Sequence, residues 1–224
     1  MQRLRVRYAK RGRARFTSSR DFSRAFERAL RRAAVPMAYS SGFSPHPRIS
    51  YANAAPTGAA SEAEYLEIGL AEVCDPAHIR TALDAALPPG LDVVEVVAAA
   101  PGALADRLTG SRWRIDLVGV APEAAARAVA ALLAQESVGV QRLTKGGLRD
   151  FDVRPAVVEL TVADGALLLL TRHQEPLVRP DDVLSALAKL APDFAPSEVP
   201  ILTRLSQGVL DADLRTLTDP LTAG

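Results

Sequence analysis

Two stretches constrain the fold of this chain more than any other feature: DPAHIRTAL, starting at Asp75, and RPDDVLSAL, starting at Arg179, about 104 residues apart. Each places a proline behind a polar residue and then apolar residues at helical spacing, the pattern of a helix that begins at its proline. Their surroundings repeat too. In the first half, Leu4, Val6 and Tyr8 alternate with Arg3, Arg5 and Arg7, which predicts a strand, and residues 13–16 are expected to continue it or pair with it after a turn at 10–12. Ser18 followed by Asp21 opens a helix over about 19–34, ending before Pro36. Strands are expected at 48–51 and 64–70, a helix from Asp75 and Pro76 to about Leu87, and, past Pro88-Pro89-Gly90, a strand at 91–97.

The order β-α-β-β-α-β predicts an α+β fold of the ferredoxin-like plan, a sheet with both helices on one face. Residues 98–111, AAAPGALADRLTGS, hold small residues, proline and glycine without sustained alternation and read as a linker. The plan then recurs: strand 113–120, helix 122–135, strand 138–143, a hairpin over 156–171 turning on Asp164-Gly165, helix 180–190 and strand 199–205. The expected organisation is an internal duplication: a basic ferredoxin-like domain at 1–100, a linker at 101–111, a second ferredoxin-like domain at 112–206 and a flexible tail at 207–224.

The near-neutral net charge of +1 hides a strong asymmetry. Residues 1–50 hold 13 lysines and arginines against Asp21 and Glu27, and so carry +11, whereas the remaining 174 residues carry −10. A charge segregated in this way predicts a localised anionic partner, most simply nucleic acid; the alternative is docking on the chain's own acidic part or exposure to water. On the first helix, Arg20, Arg24, Arg28, Arg31 and Arg32 fall within one arc, and Phe22, Phe26, Ala29, Leu30 and Ala33 within the next. Five like charges on one face repel one another, which a polyanion would relieve.

Residues 39–51, YSSGFSPHPRISY, concentrate Gly42, two prolines, His46, Arg48 and three aromatics. Pro45 and Pro47 fix φ and bias their predecessors away from helix, so a stiff loop is expected to present Phe43, His46 and Arg48. Residues 145–155, KGGLRDFDVRP, form a second irregular charged segment where the duplication places the counterpart of that loop; Lys145, Arg149 and Arg154 are candidate phosphate contacts there. The alternative is a surface loop whose charges pair among themselves. Cys74, the one cysteine, precludes an internal disulfide or a multi-cysteine metal site and reads as a small buried residue. No run approaches the ~20 apolar residues of a membrane span, and the N-terminus lacks the apolar core of a signal peptide, so a cytoplasmic protein without membrane contact is expected.

RFTSSRDFSRAFERALRRAAVPMAYSSGFSPHPRISYA, then SEAEYLEI, and later KGGLRDFDVRP and RPDDVL, resemble the bacterial radical-SAM-linked family, a family of unknown function. The resemblance covers nearly the whole chain, and FSPHPRISYA is its most specific part. Where the family has a PLPLG-like stretch, this chain reads Ala55-Pro56-Thr57-Gly58. Members are encoded beside, or fused to, radical SAM proteins and often near ribonuclease E/G genes. The resemblance thus implies RNA processing or modification, with a radical SAM protein or ribonuclease E/G as partner. This chain has no CxxxCxxC segment, so the radical SAM cluster would belong to that partner.

The leading expectation is an RNA-binding accessory protein. Phosphates would lie on Arg13, Arg15, Arg20, Arg24, Arg28 and Arg31, while Tyr39, Phe43 and His46 meet unpaired bases. A second is an RNA-acting enzyme, either a metal-independent endoribonuclease with His46 as acid or base and Arg48 or Lys145 stabilising charge, or a pseudouridine-synthase-like catalyst with Asp150 or Asp152 as nucleophile. CRISPR ribonucleases with tandem ferredoxin-like domains resemble the first version at the level of fold alone. A third is a protein-docking adaptor that binds no RNA. Small-molecule metabolism finds no support: GxGxxG after a strand, GxxxxGK[ST], HExxH and GxSxG are all missing, and His46, His78 and His173 lack metal-ligand spacing, so no cofactor or metal is expected.

Overall fold

Alternation in residues 2–10 places Leu4, Val6 and Tyr8 on one side of a strand, and burying that side commits the first helix to pack over it. The computed structural model describes residues 1–144, 146–214 and 216–222 and has an α+β fold in two compact units: Met1–Leu108 joined by 218–222, and Thr109–Leu217. No helix among the described residues is long and apolar enough to cross a membrane.

The first unit contains β1 (Gln2–Lys10), α1 (Ser19–Arg32), β2 (Ile49–Ala52), β3 (Ala60–Leu70), α2 (Pro76–Ala86) and β4 (Leu91–Ala98). Its strands pair antiparallel in the order β4-β1-β3-β2, with Val6 opposite both Leu66 and Val96. Phe22, Phe26 and Leu30 of α1 and Ile79 and Leu83 of α2 join Leu4, Val6, Leu66, Ile68, Val93 and Val96 in one buried cluster. Ser18 caps α1 by accepting the Asp21 N–H at 3.2 Å, as the sequence predicts. Asp75 caps α2 in the same way through the Ala77 N–H at 3.1 Å.

Residues 13–16 are not a strand. They form a 3-10 helix, Gly12–Phe16, because the chain turns at Gly12 with φ +52° and the Ala14 and Thr17 N–H groups donate back to the Arg11 and Ala14 carbonyls. Nor is the predicted linker bare: Leu104 and Leu108 are buried with Ala52, Ala63, Tyr65 and Leu221 in a second cluster. The expected tail is corrected in two places. Residues 207–210 belong to a strand, and Leu221 is buried while Asp219 accepts from Arg7 at 2.9 Å.

The second unit contains β5 (Gly110–Asp116), α3 (Pro122–Leu133), β6 (Gly139–Thr144), β7 (Gly147–Asp152), β8 (Val157–Ala163), β9 (Ala166–Arg172), α4 (Pro180–Leu190) and β10 (Ile201–Leu210). Here the antiparallel order is β10-β5-β9-β8, and β6 pairs with β7 alone. Asp164 and Gly165 turn the β8–β9 hairpin with φ of +48° and +73°. Trp113, Ile115, Leu132, Leu160, Leu169, Val183 and Leu187 are buried. The segment expected as an irregular loop at 145–155 is mostly β7, since residues 147–152 pair with 139–144, Gly139 opposite Asp152 and Arg142 opposite Arg149.

Candidate nucleic-acid interface

The 13 basic residues of the first 50 divide into two groups. Those of β1 and its end are spent inside their own unit. Arg3 pairs with Glu67 at 3.2 Å, Arg7 with Glu95 at 3.4 Å and Asp219 at 2.9 Å, and Arg11 with Asp92 at 2.9 Å and with Glu62. Arg5 is fully buried; its Nη2 donates to the carbonyls of Ala100 at 2.9 Å and Gly102 at 2.7 Å, and its Nε to Glu67 at 3.3 Å. The chain from 100 to 102 therefore folds onto the basic side of β1, which alternation alone presents as a solvent face.

The helix group is different. Phe22, Ala25, Phe26, Ala29 and Leu30 of α1 face the core, whereas Arg20, Arg24, Arg28, Arg31 and Arg32 are exposed. Arg32 donates to the Ala86 carbonyl. Among the described residues, no ion pair within 4.0 Å engages Arg13, Arg20, Arg24, Arg28 or Arg31. Arg15 lies over the Phe16 ring, 4.6 Å from its centroid. This is a dense cationic surface, with Asp21 and Glu27 the acidic side chains on the same helix.

Residues 39–51 close into a clasp. The Ser40 N–H donates to the His46 carbonyl at 2.8 Å, the His46 N–H to Ser40 Oγ at 3.0 Å, and Tyr39 bridges Pro47. Below this neck, Arg48 exchanges backbone bonds with Ala38 and Gly69 while its Nε donates to the Tyr39 carbonyl at 3.2 Å. Gly42 turns the tip at φ +135°, and Phe43 stands fully in solvent. His46 is exposed, and among the described residues no hydrogen bond holds its ring in one orientation. Met1, Arg3, Ser40, His46, Arg48 and Glu67 line a cleft of about 290 Å³ beside the clasp. Tyr51 remains 41% exposed, but its ring lies edge-on to Phe22 at 6.0 Å and its hydroxyl is bonded to Ser23; partial burial foremost pushes its pKa up.

The candidates of the second unit are less available. Arg154 caps the end of α3, donating to the Leu133, Gln135 and Val157 carbonyls. Asp152 Oδ1 accepts from the Val138 N–H at 2.8 Å and the Arg154 N–H at 3.0 Å. Burial alone would raise the Asp152 carboxyl, but these donors, the Ser137 side chain and the Arg154 charge hold it below the usual range. It acts as a backbone clamp. Arg149 and Asp150 are exposed on β7, and Lys145 lies outside the described residues. Among the described residues, no three His, Cys, Asp or Glu side chains come together as a metal site. Ser111 Oγ and His173 Nε2 lie 2.8 Å apart, but Ser111 is buried within β5, away from any approaching substrate.

Sequence reasoning passed over a cavity of about 250 Å³ at the start of α1, walled by Tyr8, Phe22 and Tyr51 and containing Lys10, Asn53 and Glu64. Lys10 and Glu64 are 4% and 0% exposed. The signal was present: on β1 and β3 both occupy the apolar phase, Lys10 after Leu4, Val6 and Tyr8, and Glu64 before Leu66, Ile68 and Leu70. Charges in the buried phase of two adjacent strands mark a polar pocket in the core.

No curated protein matches this chain. The family model described as an uncharacterized protein conserved in bacteria (DUF2344) matches residues 3–180, and the chain belongs to that family.

Proposed function

We propose that this is a cytoplasmic RNA-binding accessory protein of RNA processing or modification, acting with a radical SAM or ribonuclease E/G-type partner. It is built from two ferredoxin-like domains that arose by duplication. The shared pairing order of the two units, with the two edge strands and two centre strands in equivalent places, supports the duplication. The one observation that carries the RNA reading is the arginine face of α1. The unit pairs Arg3, Arg5, Arg7 and Arg11 with its own carboxylates, whereas among the described residues no ion pair engages Arg20, Arg24, Arg28 or Arg31. Retaining five mutually repelling cations on one surface is explained by a polyanion that binds there. Phe43 on its clasp supplies an exposed ring on which an unpaired base can stack.

The test is the affinity of the purified protein for single-stranded RNA as a function of salt. Five engaged arginines give a slope of log K against log salt of about −3.5, and R24E/R28E reduces its magnitude by at least about 1.4. Binding that is absent or insensitive to salt rejects the reading. Turnover of the bound RNA that disappears in H46A would place His46 in catalysis rather than in recognition.

A further inference from the structure

The cleft beside the clasp gathers cations around one small volume of about 290 Å³: Arg3, His46 and Arg48 all line it. Arg48 is held in place there by its own unit. A Cβ on Gly69 would lie 3.1 Å from the Arg48 Cβ and 3.6 Å from its Cδ, so the side chain that β3 lacks at this position makes the seat for the arginine stem. At the end of that stem, Nε donates to the Tyr39 carbonyl at 3.2 Å, which sets the plane of the guanidinium. Nη1 meets the Met1 sulfur, a weak acceptor, at 3.5 Å, and among the described residues no ion pair within 4.0 Å engages Arg48. His46 stands two residues earlier, beyond Pro47, and opens on the same cleft. Ser40 Oγ accepts the His46 N–H at 3.0 Å and keeps its own hydroxyl hydrogen to donate.

Glu67 is the acidic residue lining the cleft, and both of its oxygens are engaged, one by Arg3 at 3.2 Å and the other by Arg5 at 3.3 Å. Three arginines against this one carboxylate leave a formal excess of two positive charges, before His46 is counted. That excess discriminates between phosphates. An internal phosphodiester of RNA brings a single negative charge, whereas a phosphate monoester brings about −1.5 to −2 at pH 7 and three strong acceptor oxygens. The monoester matches the charge of the cleft, and its oxygens match the planar fork of Arg48 with an imidazole and a hydroxyl beside it. At about 290 Å³ the cleft lies at the lower end of ligand-pocket volumes, which suits one phosphate with its sugar rather than a run of chain.

We infer that this cleft binds the terminal phosphate monoester of an RNA strand, with Arg48 as its fixed guanidinium and His46 and Ser40 as further donors. The inference rests on the RNA reading above and divides the work between two surfaces: the arginines of α1 hold internal phosphates, and the cleft holds the strand's end.

The experiment titrates the full chain, at fixed salt, with one single-stranded RNA sequence in three forms: a 5′-monophosphate, a 3′-monophosphate, and hydroxyls at both ends. At least one phosphorylated form is expected to bind about tenfold tighter or more than the hydroxyl form, and its identity assigns the end. R48M should collapse that ratio to about twofold or less. H46A serves the same purpose should R48M not fold, and should lower the ratio about threefold or more. R24E/R28E should weaken all three forms and keep the ratio. Gains from both phosphates that persist in R48M are general attraction to a cationic unit and overturn the inference, as does indifference to the ends; either result leaves the RNA reading standing. Uridine 5′-monophosphate binding as tightly as the phosphorylated RNA gives the cleft to a free nucleotide and overturns the strand-end assignment. Failure of every RNA to bind removes the RNA reading and this inference together.

Discussion

Tyr8 and Phe22 lie face to face, their ring centroids 4.3 Å apart and their planes 5° from parallel. This contact joins the end of β1 to the first turn of α1 and orients the helix that carries the arginines. Phe22 also contacts Phe26 at 5.7 Å and Tyr51 at 6.0 Å, so one ring ties the helix to two strands. Replacing Phe22 by alanine is expected to cost about 3–5 kcal/mol and by leucine about half as much, read from urea denaturation midpoints. A loss below about 1 kcal/mol for F22A would mean that the cluster does not anchor α1.

The division of the arginines between structure and surface makes a paired prediction. R5M leaves the Ala100 and Gly102 carbonyls without their side-chain donor and Glu67 with Arg3 alone, and should destabilise the protein by about 2–4 kcal/mol. R24M, on the exposed face, should change stability by less than about 0.5 kcal/mol while weakening RNA binding. Equal stability losses for the two variants would contradict the division.

Gly90 tests the close approach at the start of the 3-10 helix. It sits at φ +86° and accepts from the Arg11 N–H at 2.8 Å, and a Cβ there would lie 2.7 Å from the Arg11 carbonyl oxygen. Backbone strain and this collision together predict a loss of about 2 kcal/mol or more for G90A. At Gly58, φ is +99° and an added Cβ meets nothing within 4 Å, so G58A should lose only the backbone contribution, about 1 kcal/mol. Thermal melts of the two variants side by side separate collision from strain.

Local signals carried much of this fold. The cap at Ser18, the prolines at 76 and 180 and the turn at Asp164-Gly165 each act within a few residues, and the helices and hairpin they predict are found where expected. What sequence alone could not supply was the long-range burial that reassigns individual side chains. Arg5 looks like a surface residue until the carbonyls of residues 100 and 102, almost a hundred positions later, close over it. β7 was hidden because its exposed residues Gly147, Leu148, Arg149 and Asp150 lack the apolar alternation that a half-buried strand shows; the pair β6–β7 has no such face to bury there. The Lys10–Glu64 cavity was legible in principle, since both charges break the apolar phase of their strands, but a pocket appears only once the register sets Tyr8 opposite Glu64.

Tyr65 gives the structure an alkaline limit. Its ring is buried on β3 beside Arg7 and Asp219, and burial foremost pushes its hydroxyl up to about 12, from an ordinary value near 10. In the unfolded chain the phenol loses its proton near pH 10, whereas in the folded protein it holds it for a further two units. Between those values the folded state binds more protons than the unfolded state, so stability is fully present below pH 10 and falls as pH rises toward 12. The loss attributable to this group is about 2 kcal/mol by pH 12. Y65F removes the ionisation while keeping the ring, and should flatten the decline relative to wild type when unfolding free energies are measured by urea titration from pH 9 to 11.5. Parallel curves for the two proteins would mean that another group, rather than Tyr65, controls the alkaline edge.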